Sequence, residues 1–247
     1  MFKKYLMSKK EDPFLFAKFT FLQDILSFLL CLTPFALEHN FGKYLILRKA
    51  HFLTYVDGVQ GDYLEFGVFT GSSFAHSIRA YKSLKNLDKR EKEMKFFGFD
   101  SFQGFGKIDE KTKHTFFQDH KFLWSANKVT KRASKLSTKY GVQTEIVEGF
   151  FEETLNSPST YDLEKAAIIF LDADLYGATQ TALNFSLKLI QEGTIIIIDE
   201  YFYFKGSTEF SPFGAFKEWC EQNKISYRFI THYGIGSGMV IITKIPS

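Results

Sequence analysis

Ala167-Ile168-Ile169-Phe170-Leu171-Asp172-Ala173-Asp174-Leu175-Tyr176 is an apolar run that ends abruptly in two carboxylates. Apolar residues at both parities suit the centre of a parallel sheet, where helices cover both faces. The acidic tip then lies at the carboxyl edge, where open α/β sheets bind ligands. Asp172 and Asp174, two residues apart on a strand, point to the same side. The pattern recurs in Thr194-Ile195-Ile196-Ile197-Ile198 followed by Asp199-Glu200. Between the two runs, residues 179–191 carry Ala182, Leu183, Leu187 and Ile190 at helical spacing, and Gly193 ends the helix. A strand, helix, strand crossover of this kind is right-handed when its strands are parallel neighbours. It gathers Asp172, Asp174, Asp199 and Glu200 at one edge, where they repel one another unless a cation or a proton sits among them.

Upstream, Tyr63-Leu64-Glu65-Phe66-Gly67 reads as a strand that continues through Val68-Phe69-Thr70-Gly71-Ser72-Ser73 into a helix reaching about residue 87. A glycine turn between strand and helix lets backbone approach a ligand and aims helix N-terminal amides at it. The spacing is Gly-x-x-x-Gly, not the Gly-x-Gly-x-x-Gly of dinucleotide folds, and no Gly-Lys-Ser/Thr follows. A ligand and a simple tight turn therefore stay equally open on this motif alone. The next strand, residues 95–99, ends in Asp100-Ser101, where a carboxylate can accept both hydroxyl protons of a ribose. A helix cap or surface turn is the alternative use of an Asp-Ser pair. Strands at 143–147, 227–232 and 239–244 complete the set, the last two joined by a glycine-rich connection too short for anything but an antiparallel hairpin. Residues 102–120 begin glycine-rich and irregular, as an active-site loop does, and the basic helix after them presents a solvated face.

The bulk numbers agree with an α/β chain. Its 247 residues, 45% hydrophobic, suffice for one α/β domain with an appendage. A formal charge of +3 supports no general affinity for nucleic acid. Cys31 and Cys220 form neither a disulfide framework nor a thiolate metal site, and a reducing cytoplasm is the default location. Lys3, Lys4, Lys9 and Lys10 precede an apolar region as in a secretory signal, but that region is too long, carries Lys18, Gln23 and Asp24, and lacks a small-residue cleavage site.

Asp12-Pro13 predicts a helix start, with the helix running to about residue 33 before Pro34. Thr20, Gln23, Asp24 and Ser27 form one narrow polar stripe on an otherwise apolar surface. Three readings compete for that surface: packing against the core or a second subunit, a lid over the site, or a peripheral membrane contact. The polar stripe argues against a transmembrane span, and a homo-oligomer is the expectation. A second helix is expected over 44–56, and the core boundary near Gly58 divides an N-terminal helical extension, residues 1–57, from a domain over 58–247.

Five segments carry a resemblance. Glu65-Phe66-Gly67-Val68-Phe69-Thr70-Gly71-Ser72, Gly98-Phe99-Asp100-Ser101-Phe102, Gly149-Phe150-Phe151-Glu152-Glu153-Thr154-Leu155, Leu171-Asp172-Ala173-Asp174-Leu175-Tyr176 and Ile198-Asp199-Glu200-Tyr201, in this order, resemble the macrocin O-methyltransferase family from about Gly61 onward. Those enzymes methylate sugar hydroxyls with S-adenosylmethionine on a Rossmann-like class I fold. The resemblance implies a mostly parallel seven-stranded sheet with a terminal antiparallel hairpin. It implies Glu65, Gly67, Thr70, Gly71 and Ser72 at the methionine end of the cofactor, Asp100 on its ribose, and Ser101, Gly149 and Phe150 near its adenine. Asp172, Asp199 and Glu200 would hold magnesium, with Asp174 as the base. Glu200 departs from the family pattern, which more often has a second Asp there. An all-carboxylate site is what magnesium or manganese takes. The acceptor implied is a sugar, either nucleotide-linked or part of a glycan or glycosylated metabolite.

Two other functions fit parts of the chain. A metal-dependent glycosyltransferase would use Asp172-Ala173-Asp174 on a nucleotide-sugar diphosphate, but leaves Glu65, Asp100 and Asp199-Glu200 unexplained. A non-catalytic assembly or membrane-associated protein would use the apolar N-terminal helix and leave the acidic edge without a role.

Overall fold

The computed structural model describes residues 18–87, 92–106, 108, 114 and 122–246. The Asp12-Pro13 helix start, the early lysines and much of the 102–120 loop lie outside them. Seven strands form one sheet in the order β3-β2-β1-β4-β5-β7-β6. Five are parallel: β1 (Asp62–Phe66), β2 (Phe96–Asp100), β3 (Thr144–Glu148), β4 (Ala166–Leu171) and β5 (Ile195–Ile198). β7 (Ser237–Lys244) runs antiparallel to β5 and to β6 (Ser226–Tyr233), the mixed arrangement expected from the sequence. β4 is buried along its whole length, as a strand covered on both faces must be.

The chain reverses its direction of growth across the sheet at β1, which pairs with β2 on one side and β4 on the other. Such a switch point opens a crevice at the carboxyl edge. Register places Phe66 beside Leu171 and Leu171 beside Ile198, so Gly67, Asp172 and Asp199 emerge side by side. Gly67 has φ 89°, and a Cβ there would lie 1.8 Å from the Asp172 carbonyl oxygen. Only glycine lets β1 leave the sheet this close to β4.

On one face pack α2 (Phe35–Val56), α3 (Ser72–Ser83) and α4 (Ala126–Tyr140), with Leu47, Tyr55, Phe74, Ile78 and Val129 set against Tyr63, Phe96, Ile168 and Ile197. On the other, α6 (Tyr176–Ser186) and α7 (Pro212–Gln222) set Leu183, Phe185, Phe216 and Trp219 against Leu64, Phe97, Ile169 and Ile196. Neighbouring strand residues thus feed opposite cores, as the two-residue period requires. A short α5 (Phe151–Thr154) follows β3. Lys128, Lys131, Arg132, Lys135 and Lys139 of α4 are exposed, the solvated face expected.

Helix bounds differ from the sequence expectation: the N-terminal helix begins at Thr20, after non-helical Phe19, and α3 ends at Ser83 instead of about residue 87, but α2 and α6 differ most. α2 begins at Phe35 instead of near residue 44 and runs through Gly42. Gly42 seats the helix on the β6–β7 turn, since a Cβ there would come 2.7 Å from the Gly234 amide nitrogen. α6 spans Tyr176–Ser186 and stops short of residue 191. The Leu189 carbonyl is taken by the Ala166 amide at 2.8 Å, so the chain unwinds to meet the start of β4.

α1 (Thr20–Cys31) has no buried residue, and Phe21 is 73% exposed. Among the described residues no single helix is long and apolar enough to cross a membrane. α1 and α2 meet that test only as a pair, bent by 90°.

Candidate active site

A cavity of about 670 Å³ opens at the carboxyl edge. Its walls are the glycine turn after β1, the end of β2, the acidic ends of β4 and β5, and one side of α2. Gly67, Thr70, Ser72, Asp100, Ser101, Phe150, Asp172, Asp174, Asp199 and Glu200 all line it. Glu65, Gly71 and Gly149 do not, and each acts from behind the wall.

Glu65 is wholly buried, accepting a hydrogen bond from the Tyr63 hydroxyl and one from Ser73 Oγ at 2.6 Å. Burial pushes its carboxyl up to about 8, although both bonds pull the other way. Gly71 caps α3 in the left-handed region at φ 73°. Gly149 donates its amide to the Asp100 carbonyl at 3.0 Å, turning the chain from β3 to place Phe150 in the wall.

Asp100 holds the turn itself. Its Oδ2 accepts the Val68 and Phe69 amides, each at 2.7 Å, and its Oδ1 accepts the Phe102 amide at 2.6 Å. Phe69 lies at φ 48°, a conformation costly for a non-glycine residue and held here by that clamp. Ser101 Oγ bridges the Gly104 carbonyl at 2.7 Å and the Gln103 amide at 3.1 Å, ordering the start of the loop.

At the other end stand the four carboxylates. Oxygens of Asp172, Asp174 and Glu200 lie within 4.8 Å of one another. Burial first, then Asp199, raises Asp172 to about 6. Burial and the neighbouring acids drive Asp174 and Glu200 well above the usual carboxylate range. Glu200 Oε2 is buried with no hydrogen-bond partner, an orphaned acceptor that a cation would satisfy. β4 ends at Leu171, so Asp172 and Asp174 lie beyond the strand and not two apart on it as the sequence suggests, and Asp174 takes a left-handed φ of 59°.

Asp199 is treated differently. Its Oδ1 accepts from the Tyr233 hydroxyl and from Ser237 Oγ at 3.1 Å. Its Oδ2 faces Lys43 Nζ and His39 Nε2, both at 3.3 Å. Burial opposes ionisation, but Lys43, His39 and Tyr233 outweigh it and hold Asp199 below its ordinary value. Lys43 also reaches Asp172 Oδ2 at 2.9 Å. Burial works against its ammonium, and Asp172 and Asp199 more than offset this, raising its pKa. Tyr44, next along α2, bonds Ser72 Oγ at 2.7 Å.

His39, Lys43 and Tyr44 are site residues that sequence reasoning missed. The spacing of His39 and Lys43, four apart and so on one helix face, was the available signal. It went unread because the helix was expected only over 44–56, beyond His39 and Lys43.

The sheet order, the glycine turn at the switch point and the acidic end of β2 define the class I methyltransferase fold. Two solved structures share it: the O-methyltransferase NovP (TM-score 0.63, 20% identity, 82% of this chain and 80% of that one) and the calicheamicin methyltransferase CalS11 (TM-score 0.61, 17% identity, 96% and 89%). The chain belongs to the macrocin-O-methyltransferase (TylF) family, whose model matches residues 46–229. It is 32% identical over 154 residues to a mycinamicin III 3''-O-methyltransferase of Micromonospora griseorubida, covering 59% of this chain and 57% of that protein. It is 28% identical over 152 residues to a tetracenomycin rhamnosyl 4'-O-methyltransferase of Streptomyces olivaceus, covering 59% and 54%. The chain thus spans just over half the length of these curated relatives.

Proposed function

We propose that this chain transfers the methyl group of S-adenosylmethionine to a sugar hydroxyl, on a nucleotide-sugar, a glycan or a glycosylated metabolite. The observation that carries the reading is the single cavity joining the Gly67–Ser72 turn and Asp100 to the acidic ends of β4 and β5. One end suits a nucleoside with a charged tail; the other suits an ionising hydroxyl. The family match and the sugar-methylating relatives support the acceptor class. We treat residues 58–247 as the catalytic domain and 1–57 as an extension of which α2 lines the site.

Asp172, Asp199 and Glu200 would hold a divalent cation such as magnesium, with Asp174 beside them; the buried orphan oxygen of Glu200 and the all-oxygen donor set fit such an ion. Bound there, it would stabilise negative charge on the acceptor oxygen. Asp174 takes the acceptor's proton on a carboxylate oxygen. Asp199 is also steadied by Tyr233 and Ser237, which donate to its Oδ1. The turn after β1 holds the donor so that methyl carbon and acceptor oxygen meet in line, and transfer from a sulfonium needs little beyond that alignment.

Incubation with methyl-labelled S-adenosylmethionine, magnesium and a panel of nucleotide-sugars, read by mass spectrometry, tests the reading. A mass gain of one methyl that disappears in EDTA is expected. Full activity in EDTA refutes the ion, and calorimetry showing no binding of S-adenosylmethionine refutes the function. Release of free nucleoside diphosphate would return the glycosyltransferase.

A further inference from the structure

We propose that Tyr44, on the N-terminal extension, is a positioning residue for the cofactor: it directs the Ser72 hydroxyl at the amino-acid tail of S-adenosylmethionine. The proposal rests on the reading above that the Gly67–Ser72 turn receives that cofactor, and it adds a residue from outside the catalytic domain. Ala36, Asn40 and Tyr44 recur four apart on α2 and all line the cavity, so Tyr44 stands on the helix face turned to it. Its hydroxyl lies 2.7 Å from Ser72 Oγ, and Ser72, the first residue of α3, lines the same cavity. The phenol is held in place by His76, one turn further along α3. The two rings stack with centroids 4.2 Å apart and planes 16° from parallel, and His76 Nε2 donates to the Tyr44 carbonyl at 3.1 Å.

A serine hydroxyl rotates freely and takes the direction that its neighbours impose. The phenol is the more acidic of the pair and donates to Ser72 Oγ, which leaves the serine proton to an acceptor in the cavity. Each bond in such a chain polarises the next, so Ser72 becomes a stronger donor than it would be alone. S-adenosylmethionine carries one anionic group, the carboxylate of its amino-acid tail, and its nucleoside half carries none. A Tyr44 that only stiffened the contact of α2 with α3 would affect every ligand of the cavity alike. A Tyr44 that acts through Ser72 affects only ligands that carry the tail.

The test is calorimetry with S-adenosylmethionine, S-adenosylhomocysteine and 5′-methylthioadenosine, the last keeping nucleoside and sulfur but lacking the tail. The proteins are the full chain, Tyr44→Phe, which keeps the stacked ring and loses only the hydroxyl, Ser72→Ala, and the double variant. Tyr44→Phe should weaken both tailed ligands about three- to tenfold, the worth of one neutral hydrogen bond, and leave 5′-methylthioadenosine within about twofold. Ser72→Ala should weaken the tailed ligands at least as much. The double variant should match Ser72→Ala within about twofold, because the phenol has no other route to the cofactor. In turnover, the KM for S-adenosylmethionine should rise in Tyr44→Phe while kcat stays within about twofold. Tyr44→Phe that binds the tailed ligands as the parent does overturns the proposal, and so does an equal loss for all three ligands. A parent that binds none of the three refutes the cofactor reading itself, and the proposal with it.

Discussion

Asp100→Asn should cost about 3 kcal/mol of folding stability before any ligand is considered. The carboxylate accepts three backbone amides at 2.6–2.7 Å, two on Oδ2 and one on Oδ1. Asparagine keeps one acceptor oxygen, so at least one amide is left facing an NH2 group, a loss of about 1.5–3 kcal/mol for a bond to a charged acceptor. The bonds that survive lose their charge assistance, about 1 kcal/mol each, and partial exposure of Asp100 lets water return some of the total. With Phe69 at φ 48° no longer clamped, the turn should relax toward an ordinary conformation. Urea unfolding without ligand measures this, and heat should show a midpoint about 6–12 °C lower for a chain of this size. S-adenosylmethionine affinity should fall at least tenfold in the same variant, because the turn that frames its site has moved. An unchanged urea midpoint refutes the clamp. Lost stability with unchanged cofactor affinity keeps the clamp but removes Asp100 from the ribose.

Asp174→Asn should lower the rate about 100-fold or more at saturating magnesium with cofactor binding intact, the scale of a lost general base; recovery on raising magnesium would make the residue a ligand instead. Divalent-ion affinity should rise with pH from 5.5 to 7.5, because Asp172, raised to about 6, and Glu200, also raised, must shed protons to bind it; an Mn²⁺ affinity that is flat over this range contradicts the raised values. Glu65, at about 8 when folded against an ordinary 4.5, binds its proton more tightly folded than unfolded. Its stabilising contribution is therefore full below about 4.5 and is lost as pH rises toward 8. Glu65→Gln should flatten that loss in a pH series of thermal midpoints, and parallel curves for the two proteins would show that Glu65 titrates normally. The exposed apolar surface of α1 predicts a homo-oligomer; light scattering that finds a monodisperse monomer without detergent refutes this and returns the helix to a lid.

The sheet was legible because its signal is local. Isoleucine runs that end in acids can be little other than buried parallel strands, and the crossover between them leaves one neighbour arrangement. Helix ends were less legible, for non-local reasons. α6 stops at Ser186 because Ala166, twenty residues earlier, claims the Leu189 carbonyl. α2 passes through Gly42 because Gly234, far along the chain, has no side chain to obstruct it. No window of sequence contains either partner. The same holds for Asp100: its place after β2 was readable, but two of its three amide donors come from the turn after β1 and only Phe102 from its own.

Charge at the acidic edge was legible as a problem but not as a solution. Four carboxylates on two strand ends demand compensation, which the strands alone do not supply. The structure supplies part of it from α2, outside the five recognisable segments, where Lys43 and His39 meet Asp199. Tyr233 and Ser237 add hydroxyl donors from the hairpin. This settles Asp199 and half of Asp172, and it leaves Asp174 and Glu200 with raised pKa values and a buried oxygen lacking a partner. All four acids line the cavity, so the unmet demand of Asp174 and Glu200 opens onto the space where the proposed ion and acceptor would meet, and perturbed carboxylates in a cleft are what a functional site presents.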